Sequence, residues 1–185
     1  STGKISTAMA VALATIDGAA IVAVGSRTTQ AAVAFADTHS IPRAHETHTA
    51  LCADPDVDVI YIGSPHSEHH AMTIEALEAG KHVLCEKAFA INARQAAEMI
   101  DVARRNERFL MEAMWSWFMP GWHEARRRIA AGAIGEVKIV DANFGIQVLD
   151  EHGRHRRADL AGGVLLDVGI YPMSLGRFLL GEPLE

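Results

Sequence analysis

The chain has 185 residues, of which 49% are hydrophobic and 22% charged. That is enough apolar material for a packed core and excludes a disordered chain. A net charge of −6 argues against a nucleic-acid backbone as the main partner. No uninterrupted apolar run reaches the ~18 residues of a membrane span. Two cysteines, Cys52 and Cys85, cannot form a disulfide framework in a chain this long, so a reducing cytoplasm is the expected compartment.

The chain opens on Ser1-Thr2-Gly3-Lys4-Ile5, which reads as a loop entering a helix with no strand before it and no basic-then-apolar leader pattern. Short apolar runs then alternate with longer Ala-rich stretches. Ala20–Val24, Val57–Ile62, His82–Cys85 and Phe109–Glu112 are predicted strands. Ile5–Ala14, Thr28–Thr38, Glu68–Ala79 and Ala93–Arg105 are predicted helices. Gly80 stands where a C-terminal cap belongs and Asn92 where an N-cap belongs. Strand–helix alternation of this kind implies right-handed crossovers and a doubly wound parallel sheet, an α/β fold.

The rhythm changes after Trp115. Phe118–Gly132 reads as a basic amphipathic helix with Arg126, Arg127 and Arg128 toward solvent. Val137–Val148 alternates enough for a long strand, Asp150–Asp159 is a polar loop, and Leu166–Leu180 has helical apolar spacing. A first domain over 1–115 and a second over 116–185 are expected. The end, Gly181-Glu182-Pro183-Leu184-Glu185, is as abrupt as the start, and both ends read as cuts in a longer chain.

Ser1-Thr2-Gly3-Lys4-Ile5-Ser6 has the spacing of a dinucleotide-binding loop, with serine at the first and third glycine positions. Such a loop lets backbone N–H groups meet a pyrophosphate at a helix N-terminus. Only Gly3 keeps the pattern, so an ordinary loop is the competing reading. The next predicted strand ends in Gly25-Ser26-Arg27, about 20 residues on, where an acidic residue would hold the ribose 2′-hydroxyl of NAD. No acid is present. Ser26 can donate a hydrogen bond and Arg27 can pair with a 2′-phosphate, which points to NADP over NAD. A solvated arginine at a helix start is the alternative.

Val59-Ile60-Tyr61-Ile62-Gly63-Ser64-Pro65-His66-Ser67-Glu68-His69, followed by Ala79-Gly80-Lys81-His82-Val83 and Glu86-Lys87-Ala88, resembles the Gfo/Idh/MocA family of NAD(P)-dependent oxidoreductases. Phe109–Trp115 with Phe118 and Pro120, and Gly162-Gly163-Val164-Leu165-Leu166-Asp167-Val168-Gly169-Ile170-Tyr171-Pro172, extend the resemblance over the whole chain. Three positions depart from the pattern: Ala88 replaces a proline, His66 an asparagine, and Trp117 an arginine.

The resemblance implies a Rossmann domain followed by the start of an α+β domain with an open, mostly antiparallel sheet. The first Rossmann strand and most of the second sheet would then lie outside this chain. It also implies hydride transfer between NADP, less readily NAD, and a secondary alcohol or ketone of a sugar, cyclic polyol or dihydrodiol, in a protein that forms homo-oligomers when full length. Lys87, Asp167 and Tyr171 carry over as catalytic residues, with Tyr171 the acid/base. Thr2, Gly3, Lys4, Ile5, Ser26, Arg27, Ser64, Pro65, His66, His69, Glu86 and Lys87 are the expected cofactor contacts.

Chemistry gives these assignments content. Lys87 follows a predicted strand at its carboxyl end, where parallel sheets place ligands, and an ammonium there can polarise an oxygen and lower a neighbouring phenol's pKa. A free phenol titrates near ~10, too high for an efficient base. Asp167 lies four residues before Tyr171, and Pro172 predicts a helix starting late, near Gly169. Trp115 and Phe144 are candidates for an apolar substrate wall, or else simply core, as Tyr171 is on its bland reading. Ten histidines invite a metal, but no ligand spacing supports one. A non-catalytic NAD(P)-binding sensor or structural protein, and a metal-dependent hydrolase, remain as competing classes.

Overall fold

The structure is a computed structural model that describes residues 1–147, 150 and 153–181. The chain divides into two units, Ser1–Ala113 and Met114–Glu185. In the first unit the elements run α1 (Lys4–Leu13), β1 (Ala23–Gly25), α2 (Thr29–His39), β2 (Arg43–His45), α3 (His48–Cys52), β3 (Val59–Ile62), α4 (His66–Glu78), β4 (His82–Glu86), α5 (Ala93–Arg105) and β5 (Leu110–Ala113). Every strand pairing is parallel. β1 pairs with β2, and β3, β4 and β5 form a three-stranded sheet in that order.

Local signals set most boundaries. Thr28, Thr47 and Asn92 each cap a helix by accepting an N–H three residues on. At the end of α4, Gly80 takes a φ of +79°. There Gly80 N donates to Leu77 O and Lys81 N to Ala76 O, the paired bonds that close a helix through a left-handed residue. The chain is thereby turned straight into β4.

The core packs α4 and α5 on the β3–β4–β5 sheet. Ile60, Ile62, Leu77, Val83, Met99 and Val102 are at its centre. Both cysteines are free and buried. Burial pushes the Cys52 thiol up to about 11 and the Cys85 thiol up to about 12, so both stay protonated and unreactive at neutral pH.

β2 and α3 were not anticipated. Arg43-Ala44-His45 has no apolar alternation, and an ion network outside the strand holds it. Arg43 Nε lies 2.8 Å and His45 Nε2 2.9 Å from the buried Asp54 carboxylate, while Lys81 Nζ donates to the Asp54 carbonyl at 2.7 Å. The Asp54 carboxyl is pulled down to about 2, chiefly by the hydrogen bond to His45, then by the Asp56 amide and Arg43. A carboxyl depressed on folding stabilises above its unfolded pKa of ~3.9 and loses that contribution as pH falls through the folded value. Asp54→Asn should therefore lower Tm at neutral pH. The gap to the parent should close between about pH 4 and pH 2, as measured by thermal melts across that range.

In the second unit a 3₁₀ turn at Trp115–Phe118 leads into α6 (Pro120–Ala130). Arg126, Arg127 and Arg128 are exposed. Arg127 and Arg128 pair with Glu124, and the Arg126 guanidinium lies 5.4 Å above the Phe178 ring. Trp117 and Trp122 also meet Phe178, at 5.7 and 5.5 Å, so Trp117 serves as a packing residue.

Two expectations are corrected here. Residues 137–147 of the predicted strand Val137–Val148 are unpaired in any sheet, and Val148 lies outside the described residues. Alternation supplies a face, but a strand also needs a neighbour for its N–H and C=O groups, and Ile139 stays 84% exposed. The last helix does not start near Gly169. It begins at Val164 and passes through a π turn, Leu165–Gly169, into α7 (Ile170–Leu180). Pro172 cannot close an ordinary helical bond, and a wide turn just before it accommodates the lost N–H.

The polar stretch before this helix contains two 3₁₀ turns, Arg154–Arg156 and Ala158–Leu160. Among the described residues, Ala158–Leu180 has the length and apolar composition of a membrane-crossing helix, but its helical turns are interrupted at Ala161–Gly163.

Candidate functional site

In the first unit the candidate residues gather at the carboxyl ends of the strands and the start of α1. Gly3 is the N-cap of α1 with extended backbone and no side-chain cap. The first N–H groups of α1 therefore have no partner within the helix. Lys4 and Ile5 are exposed in that first turn. Thr2 Oγ1 lies 3.4 Å from Ser26 Oγ, so the N-terminal loop meets the end of β1. Arg27 is exposed just before α2.

After β3, Gly63 brings its backbone against α1. A Cβ there would stand 3.0 Å from Ser6 Oγ and 3.2 Å from Ile5 Cγ2. The Ser6 and Ser64 hydroxyls are buried without a hydrogen-bond partner. Close backbone approach, unpaired helix N–H groups and an unsatisfied Ser64 hydroxyl are what a dinucleotide site requires of a chain.

Ser64 and Pro65 lead into α4, and Glu86 and Lys87 follow from β4. Glu86 is 9% exposed. Its Oε1 accepts the Tyr61 hydroxyl at 2.7 Å and its Oε2 the Lys87 N–H at 3.2 Å. Burial, and after it the Glu86 carboxylate, push the Tyr61 phenol above its ordinary range, so Tyr61 acts as a donor. Lys87 is half-buried, and the Lys87–Ala88 peptide is cis.

His66 and His69, two of the expected cofactor contacts, lie in the first turn of α4. His66 is 3% exposed and His69 fully buried, with their rings edge-on at 5.6 Å. His69 Nδ1 lies 2.9 Å from the Ala88 carbonyl and Nε2 3.0 Å from the Ser64 carbonyl. A neutral ring donates to one of the two. Burial holds the His69 pKa below its ordinary value against the pull of these carbonyls. The family motif puts this histidine near the cofactor, and its buried ring lies between the carbonyls of two loops.

The second unit brings Trp115, Phe144 and Tyr171 together. Trp115 Nε1 donates to the Tyr171 hydroxyl at 3.0 Å. The Trp115 and Phe144 rings stand 5.7 and 5.1 Å from the Tyr171 ring. Trp115 is 55% and Phe144 48% exposed, so neither is a core residue here. Asp167, 6% exposed in the π turn, accepts from Arg154 at 3.1 Å and faces His155 Nδ1. A Cβ on Gly162 would collide with the carbonyls of Arg154 and Arg157, so a glycine lets this turn close onto Asp167. A pocket of about 130 Å³ lies beside Asp167, lined also by Ile146, His155, Gly163 and Val164.

Sequence reasoning missed Tyr61, Glu112, Arg154 and His155. Glu112, on β5, accepts the Phe89 N–H at 2.9 Å, and burial raises its carboxyl above the usual range. No local pattern marks these residues, because each acts on a partner distant in sequence. Among the described residues, no three His, Cys, Asp or Glu side chains converge as metal ligands.

A parallel-stranded unit with this loop arrangement is an NAD(P)-binding Rossmann fold. The model of an oxidoreductase family with an NAD-binding Rossmann fold matches residues 2–114, and that of the GFO/IDH/MocA C-terminal domain matches 122–185. The chain belongs to the GFO/IDH/MocA oxidoreductase family.

Trans-1,2-dihydrobenzene-1,2-diol dehydrogenase of Xenopus tropicalis is 42% identical over 173 residues, 92% of this chain and 52% of that protein. The D-xylose 1-dehydrogenase (NADP+) of Hypocrea jecorina is 43% identical over 141 residues, 71% of this chain and 36% of that protein. A 3-ketoreductase from Actinomadura kijaniata, solved with NADP and TDP-benzene, has a TM-score of 0.92 at 30% identity, covering 97% of this chain and 55% of that one. The aldose-aldose oxidoreductase from Caulobacter crescentus gives 0.87 at 32%, covering 97% and 56%. The chain spans about half the length of the curated relatives it matches.

Proposed function

We propose that this chain carries the cofactor half and part of the substrate half of an NADP-dependent oxidoreductase acting on a secondary alcohol or ketone of a sugar, cyclic polyol or dihydrodiol. The observation that carries the reading is the pair of prepared side chains. Lys87 stands at the carboxyl end of β4 beside the buried Glu86, and Tyr171 is hydrogen-bonded by Trp115. In the Actinomadura kijaniata 3-ketoreductase, a lysine and a tyrosine were each replaced in solved variants. They are separated by the same sequence interval as Lys87 and Tyr171.

The nicotinamide supplies or accepts the hydride when bound. The chain's own residues do the rest. Thr2, Gly3, Lys4 and Ile5 offer N–H groups to the pyrophosphate, and Ser26 and Arg27 meet the 2′-phosphate. Ser64, Pro65 and Glu86 line the nicotinamide end. The Lys87 ammonium polarises the substrate oxygen, as an oriented charge must where an alkoxide develops. Tyr171 holds or releases the hydroxyl proton. The Trp115 N–H donates to the same phenol oxygen and orients it. Asp167, fastened by Arg154 and paired with His155, borders the small pocket beside the π turn.

Titrating the full-length protein with NADPH and with NADH, followed by nicotinamide fluorescence, tests the cofactor. NADPH should bind more tightly. Arg27→Ala should weaken NADPH about 10-fold or more, the scale of a lost charge-assisted pair, with little effect on NADH. Equal weakening of both, or of neither, would show that Arg27 does not read the 2′-phosphate. A panel of sugars, polyols and dihydrodiols, with NADP reduction read by absorbance, then selects the substrate class.

A further inference from the structure

We propose that Glu112 and His69 are positioning residues for Lys87, acting through the backbone of the Lys87–Phe89 turn. The inference rests on the reading of Lys87 as the group that polarises the substrate oxygen. This turn leaves the sheet at the end of β4, so its N–H and C=O groups lose their ladder partners. Polar backbone groups taken from water without a partner are costly.

Side chains from separate elements take them up one by one. The Lys87 N–H donates to Glu86 Oε2 at 3.2 Å, from β4. The Ala88 carbonyl faces His69 Nδ1 at 2.9 Å, from α4. The Phe89 N–H donates to Glu112 Oε1 at 2.9 Å, from β5. The other nitrogen of this buried ring lies 3.0 Å from the Ser64 carbonyl, so the ring packs between the loops that follow β3 and β4. Three consecutive residues are thus fixed from three directions, and Lys87 is the first of them. Glu112 is assigned no contact with substrate or cofactor. The effect of Glu112 and His69 on the reaction passes through where the Lys87 backbone stands, and a displacement of about 1 Å in a reacting group can cost ~10²-fold in rate.

The test uses the full-length protein with three readouts. These are the separation of kcat from KM, NADPH affinity by fluorescence, and hydrogen exchange of the Phe89 amide against Val83 and Leu84 in the strand. Glu112→Ala should lower kcat about 10- to 100-fold, leave KM and NADPH affinity within about 3-fold, and speed Phe89 exchange while Val83 and Leu84 stay protected. Glu112→Gln keeps a side-chain carbonyl for the Phe89 N–H and should restore both kcat and slow exchange. His69→Leu should give the same split as Glu112→Ala; if it does not fold, the Glu112 pair decides alone.

Unchanged kcat in Glu112→Ala overturns the proposal. So does a Gln variant as impaired as the Ala variant, which would make the carboxylate's charge the active feature. Joint loss of protection at Val83, Leu84 and Phe89 also overturns it, since Glu112 would then be a brace for the fold. A parent protein with no NADP-dependent turnover overturns the reading of Lys87. The Phe89 exchange still reports whether Glu112 fastens the turn, so the two failures are read apart.

Discussion

Tyr171→Phe in the full-length protein should lower turnover about 10²- to 10⁴-fold, the usual worth of a positioned acid–base group, and leave NADPH affinity and Tm nearly unchanged. The substitution removes one oxygen and keeps the ring. The contacts of that ring with Trp115 and Phe144 therefore survive. The Trp115 N–H that loses its acceptor belongs to a side chain 55% exposed, so water can replace it. The ring packing is kept, whereas the proposed proton transfer loses its oxygen.

Lys87→Ala should fall in the same range for a different reason. A charge beside the developing alkoxide stabilises the transition state more than the ground state, so kcat drops more than binding does. The two single variants should not multiply fully in the double variant if both act on one oxygen. Steady-state kinetics with NADPH titrations on the three proteins checks this. A Tyr171→Phe enzyme with near-normal turnover would remove Tyr171 from the acid–base role.

The parallel α/β architecture was legible because its signals are local. Asn92 caps α5 where its side chain predicts, and Ala93–Arg105 has the expected ends. Gly80 closes α4 because only a residue tolerant of positive φ fits there. The register of β3, β4 and β5 follows from apolar runs that tertiary packing needs. What was not legible depends on partners far along the chain. β2 exists because β1 pairs with it and Asp54 holds its arginine and histidine. Residues 137–147 show the converse, strand-like spacing without a neighbour.

The site divides in the same way. Family motifs singled out Lys87, Asp167 and Tyr171 as candidates, but not what surrounds them. The motif that marks His69 did not show that its ring would be buried between the Ser64 and Ala88 carbonyls. Burial is set by the whole core, which no short motif encodes. Glu112 and Arg154 were invisible because a carboxylate or guanidinium in a sequence carries no mark of which distant amide or acid it meets.

The core should be as sensitive as the site. Leu77 is fully buried on the inner face of α4, in line with Thr73 and His69, which are also fully buried. It packs into the cluster with Ile60, Ile62, Val83 and Met99. Cutting such a leucine to alanine costs about 2–5 kcal/mol, from lost transfer energy and the cavity left behind. A domain has only about 5–15 kcal/mol in all. Leu77→Ala should therefore shift the unfolding equilibrium about 30-fold or more, while Leu77→Met, which keeps the volume, should cost less than about 1.5 kcal/mol.

The loss should also reach the cofactor. α4 begins at Pro65-His66 and carries His69, whose ring lies between the Ser64 and Ala88 carbonyls. Loosening its far end at Leu77 weakens the platform from which both loops are fixed. NADPH affinity in Leu77→Ala should match the parent well below its lowered melting point and fall off at temperatures where the parent still binds. Urea unfolding, with NADPH titrations at two temperatures, measures both parts. A Leu77→Ala protein within about 1 kcal/mol of the parent would mean that the cavity collapses or fills, and that α4 is not held to the sheet by this side chain.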